Sequence, residues 1–136
     1  MKKLFVAASI YLALGLVAGV FYREFTKIMQ FDIQQETQLS VVHTHLLALG
    51  FLFFLIALAL EKSFVLSDEP TFSNFFVFYN VGLVISTSMM VTNGVLDVLG
   101  ISNKPELLAL ASGFGHILLA LGLALFMMTL GRSIKR

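Results

Sequence analysis

Four long uncharged stretches, separated by short polar ones, set the pattern of this chain: Leu4 to Tyr22, Thr37 to Leu60, Pro70 to Leu96 and Leu107 to Gly131. Each approaches or exceeds the roughly 20 apolar residues that cross the hydrocarbon core of a bilayer as a helix. The pattern predicts an all-α, four-helix transmembrane bundle. Its helices run over about 4–22, 37–60, 72–96 and 106–130, within one domain covering 1–136. Boundary signals agree. Ser67-Asp68-Glu69-Pro70 is a cap followed by a proline in the first turn, and the turn Gly100 to Lys104 leads into Pro105-Glu106. The first span, behind Lys2 and Lys3, also has the layout of a signal peptide with a small-residue site near Ala18-Gly19, and it reads as a retained first helix.

Composition strengthens this reading and narrows the chemistry. The chain is 58% hydrophobic with a mean hydropathy of +0.92, well above a soluble domain's usual apolar share of about 45–50%. A net charge of +1 offers no basic face for nucleic acid. With no cysteine, the sequence excludes disulfides, iron–sulfur clusters, thiolate metal sites and thioether-linked haem. Of the basic residues, Lys2, Lys3, Lys62, Arg132, Lys135 and Arg136 fall on one side of the predicted membrane, and Arg23, Lys27 and Lys104 on the other. The positive-inside rule then puts both termini in the cytoplasm and the chain in the cell membrane as a multi-pass protein.

Within the spans, Gly15 and Gly19 form a GxxxG pattern suited to close helix contact. The connection Arg23 to Glu36 mixes charge with Phe25, Ile28, Met29, Phe31 and Ile33, and reads as a partly apolar segment lying at the interface, loop or helical. Helix three is the most polar inside, with Asn74, Tyr79, Asn80, Ser86, Thr87, Ser88, Thr92 and Asn93. Such groups are expected to bond between helices. Leu118 to Gly122 repeats Leu46 to Gly50 letter for letter, a hint of two similar halves.

All three histidines stand inside the spans: His43 and His45 on helix two, His116 on helix four. Counted from Glu36 and Glu106 at 1.5 Å per residue, they lie roughly 10, 13 and 15 Å deep, all in the same half of the bilayer. Imidazole in hydrocarbon is costly unless something binds it. Neutral imidazole is a favoured ligand for haem iron and for copper or zinc. His43 and His45 point about 200° apart on an α-helix, so they serve two partners rather than grip one ion. That spread, the glycines and serine beside His116, and the surrounding Phe and Leu favour a noncovalent b-type haem. Met89, Met90, Met127 and Met128 carry the copper alternative, but they lie deeper than the histidines and serve equally as core residues.

The His43-x-His45 pair on the second helix resembles the His-x-His pair of the catalytic subunit of haem-copper oxidases, where two histidines of one helix ligate haems on opposite faces. That subunit is built of three similar four-helix arcs. The chain looks like one arc standing alone, similar to a family of small four-helix bacterial membrane proteins of unknown function. The resemblance implies an oxidase-like homotrimer with haem between neighbouring subunits, His43 of one and His45 of the next being axial. It gives no counterpart for His116. The chain has no His-His pair on helix three and no His-Pro-Glu copper motif, so oxygen reduction is not implied.

Two haem geometries follow: His43 with His45 between subunits, the preferred one because of the 200° separation, or His45 with His116 inside one subunit, which agree in depth. Arg23, Lys27 or Lys104 would pair with the propionates. The function expected is electron transfer with an unidentified redox partner, or sensing or reduction of a diatomic gas, in an oxidoreductase-like setting. The alternatives are a copper or zinc transporter or chaperone, using His45 and His116 with a methionine, and a structural accessory subunit.

Overall fold

The computed structural model describes residues 1–32 and 34–135. Among these, the chain forms four long helices and no strand. Helix α1 is Lys2–Ile28, α2 is Leu39–Phe64, α3 is Phe72–Val98 and α4 is Glu106–Ser133, and each is long and apolar enough to span a membrane. A 3-10 turn, Leu66–Asp68, links α2 to α3. Their length and apolarity are those of a multi-pass membrane protein.

α1 continues six residues beyond Tyr22. Arg23 to Ile28, read from the sequence as part of an interfacial connection open to loop or helix, form its last turns, so Phe25 and Ile28 are helical; Ile33 lies outside the described residues. The stop is a left-handed residue, Gln30 (φ 52°), where a glycine is usual. Around it the Gln30 N–H donates to the Lys27 carbonyl (3.2 Å) and the Phe31 N–H to the Thr26 carbonyl (3.0 Å). α3 ends in the same motif with the expected glycine, Gly100 at φ 72°.

The helices associate as two hairpins. α1 lies along α2, and α3 lies along α4 for most of their length. α1 buries one stripe, Leu4, Ala7, Ala8, Tyr11 and Gly15, at helical spacing. α4 likewise buries a single seam, Gly115, Leu119, Gly122, Phe126, Thr129 and Ser133, leaving the rest of its surface open. Small residues bring backbones together. A Cβ on Gly82 of α3 would collide with the Leu119 backbone, and one on Gly122 with the Tyr79 backbone. Gly15 meets Leu47, as the GxxxG pattern suggests, while Gly19 sits in ordinary contact with His43.

The two halves of the bundle differ in how they are filled. Toward the end that carries the chain termini, Phe53, Phe54, Phe72, Phe75, Phe76, Tyr79 and Phe126 form a continuous aromatic cluster, joined to α1 where Tyr11 stacks on Phe54. Toward the opposite end, α2 and α3 meet through small and polar groups. Leu39 sits on Gly94, and the Thr37 hydroxyl donates to the Gly94 carbonyl at 3.0 Å. The histidines lie in this second half.

Candidate functional site

The middle of α2 is not α-helical. Leu46–Leu52, starting directly after His45, is a π-helix, a feature that recurs at functional sites. Two contacts hold it. Gly50 faces Tyr11 so closely that a Cβ there would stand 2.5 Å from the Tyr11 Cβ. The hydroxyl of the buried Tyr79 donates to the Leu49 carbonyl at 2.8 Å. A widened turn changes the backbone partners of its carbonyls, and in hydrocarbon an extra donor for one of them is worth a buried tyrosine.

Val42 and Leu46 form the buried line of α2 here, and His43 and His45 flank it on its two sides, both half-buried. His43 lies against α1, over Gly19. Its Nδ1 is buried without a hydrogen-bond partner, and its Nε2 is 3.4 Å from the Thr44 hydroxyl. His45 is arranged differently. Its Nδ1 is 2.9 Å from the Val41 carbonyl one turn back. A carbonyl only accepts, so Nδ1 carries the proton, and in the neutral ring Nε2 is left with a free lone pair.

His116 repeats this arrangement on α4. Its Nδ1 is 2.7 Å from the Ser112 carbonyl, which again leaves Nε2 free. The residue is exposed on the flank of α4, between Phe114 and Ile117, and the position of Gly113 one turn away is open, with nothing within 4 Å of where a Cβ would stand. An imidazole whose Nδ1–H is tied to a carbonyl is fixed in tautomer and orientation, the usual outer-shell setting of a metal-ligating histidine. Both helices run in the same direction. Phe53 of α2 and Phe126 of α4 meet with ring centroids 5.1 Å apart. His45 stands eight residues and His116 ten residues from that contact, both toward the far end.

The structure does not gather the histidines into a compact ion site. Among the described residues no group of three or more His, Asp or Glu is placed to hold one metal ion. Two neutral imidazoles with free Nε2 atoms are fewer donors than the four of a structural zinc site, and are of the kind that would hold haem iron.

The basic residues proposed for propionates are placed unevenly. Lys104 donates to Asp97 and to the Asn93 carbonyl (3.2 Å), so it is already engaged. Arg23 is 80% exposed and only 3.6 Å from Glu24, an exposed pair of small energetic value. Lys27 borders a surface hollow with Tyr22, Arg23 and Thr26. The Tyr11 hydroxyl donates to Asn80 Oδ1 (2.8 Å), a bond between helices of the kind expected for helix three. One polar arrangement had no signal in the sequence: the buried Glu61 carboxylate accepts from Ser67 N–H (2.9 Å), the Ser67 hydroxyl (2.5 Å) and the Met1 amine (3.4 Å). Tyrosine, asparagine and glutamate at helical positions leave their partners undetermined until the helices are set side by side.

A family model described as a protein of unknown function, DUF2871, matches residues 1–133. No curated protein and no solved structure matches the chain.

Proposed function

The chain belongs to the DUF2871 family, and from the chemistry of its histidines we propose that it is a haem-binding membrane protein holding a b-type haem through His45 and His116. The observation that carries this reading is the shared arrangement of the two rings, each with Nδ1 tied to the carbonyl one turn back and Nε2 left as a ligand. When bound, the haem would supply one-electron chemistry, so electron transfer between membrane partners is the function favoured. The protein's own part would be to fix both imidazoles with Nε2 free and to offer apolar surface beside His116, where Phe114 and Ile117 are exposed and Gly113 is open. Arg23 and Lys27, and Lys104 by sharing with Asp97, are the cations available at that end for carboxylates reaching the membrane surface.

His43, turned onto Gly19 with its Nδ1 in the α1–α2 seam, is less suited to an axial role toward a neighbouring subunit. The oxidase-like homotrimer remains part of the proposal on a different ground. α4 is attached through one seam only, and a neighbouring subunit against its open flank would shield His116 from lipid. The termini then face the cytoplasm by the distribution of basic residues.

The test is the visible spectrum of protein purified from haem-sufficient cells. A Soret band is expected, lost in both His45→Ala and His116→Ala and kept in His43→Ala, with acidified acetone extracting the pigment because no thioether holds it. A colourless preparation carrying stoichiometric copper or zinc would overturn the haem reading in favour of metal transport. Loss of the band with His43→Ala but not His116→Ala would restore the geometry between subunits.

A further inference from the structure

A groove of about 890 Å³ runs between α1 and α3 on the half of the bundle nearest the chain termini, remote from the histidines. Val6, Ile10 and Leu14 form one wall, and Val81, Val84 and Ile85 the other. Its polar groups are turned inward and occupied: Tyr11 OH donates to Asn80 Oδ1, and Asn80 Nδ2 donates to the Phe76 carbonyl (2.7 Å). Apart from these groups and the two lysines its lining is apolar, which suits an acyl chain better than a polar ring such as a quinone. At the open end stand Lys2 and Lys3. Neither lysine has an ion-pair partner among the described residues, and no acid lines the groove.

We propose that this groove is a binding site for one anionic phospholipid, its phosphate held by Lys2 and Lys3 and an acyl chain laid between α1 and α3. Length and charge both fit this occupant. From Lys2 to Leu14 the groove extends about 18 Å at 1.5 Å per residue, close to one leaflet of a hydrocarbon core about 30 Å thick. Unpaired cations stand where a headgroup would lie, and aliphatic side chains where its chain would run. A zwitterionic lipid would fill the same walls, but its positive headgroup would weaken the attraction to the lysines. The site is independent of the haem reading, since none of its residues approaches a histidine.

Native mass spectrometry of the full chain in mild detergent tests it, with phosphatidylglycerol or phosphatidylcholine of identical acyl chains as the probe. The chain should retain phosphatidylglycerol in preference, by about thirtyfold if each lysine contributes ~1 kcal/mol near an anionic headgroup. The double variant Lys2→Gln/Lys3→Gln should lose the preference while still binding both lipids weakly. Ile10→Trp, which fills the groove and keeps the lysines, should lower retention of both; Leu107→Trp, on the open surface of α4, should change neither. Equal retention of the two lipids by the native chain, or a preference that survives the double variant, would overturn the proposal. So would efficient disulfide cross-linking between copies carrying cysteine at Val81, because a second copy would then be the occupant.

Discussion

Ser86 stands in the α3–α4 seam, beside Gly115, with its hydroxyl buried and without a partner. An unpaired buried hydroxyl costs about 1–3 kcal/mol, and alanine keeps the Cβ while removing the oxygen. Ser86→Ala should therefore raise the unfolding midpoint in mixed micelles, and a fall would show that the hydroxyl has a partner in the membrane. Tyr79 is the opposite case. Tyr79→Phe leaves the ring in the aromatic cluster but takes the donor from the Leu49 carbonyl. The loss should lie between the ~0.6 kcal/mol typical of bonds between membrane helices and the ~2 kcal/mol of a buried carbonyl left unpaired; the same unfolding measurement reads it. The histidines show what the sequence reveals at this scale. Their depth follows from counting residues, because helical rise is fixed. Which ring nitrogen is free does not, because it depends on side-chain torsions that bring His45 and His116, but not His43, back to a carbonyl one turn away.

At the level of the helices, glycines separate into those under pressure and those in the open. Gly82→Ala and Gly122→Ala would force α3 from α4, an overpacking that costs about 1–3 kcal/mol. Gly113→Ala and Gly131→Ala meet nothing, and should be neutral or stabilise by up to ~1 kcal/mol through helix propensity. Unfolding of the four variants side by side checks the contrast; equal effects in both pairs would refute the close seam. The four spans were legible because apolar length is itself the signal a bilayer requires. The far end of α1 was legible only as a segment open to loop or helix, since Arg23, Glu24 and Lys27 break the apolar run, while helical hydrogen bonds continue past its edge until Gln30 turns left-handed. The π-helix was hidden. Composition records which side chains are apolar, not which carbonyl each N–H reaches, and the contacts that hold the widened turn, Gly50 on Tyr11 and Tyr79 on the Leu49 carbonyl, come from other helices.

Across the whole molecule, contacts between the two hairpins are fewer than contacts within each. They are concentrated at Phe53 among Tyr79, Phe75 and Phe126, at Tyr79 on Leu49, at Tyr11 on Asn80, and at Leu39 and Thr37 on Gly94. The link between them, Leu66–Asp68 and its neighbours, is short and lies at one end. This division bears on biogenesis. As α1 and α2 leave the ribosome they already possess each other's main partner, and α3 and α4 enter the bilayer later as a second self-sufficient pair, so the last step is lateral docking of two inserted units. A gene split at this link and expressed as two tagged fragments should yield halves that insert separately and copurify, whereas a split between α3 and α4 should leave the α4 fragment without its seam and open to degradation.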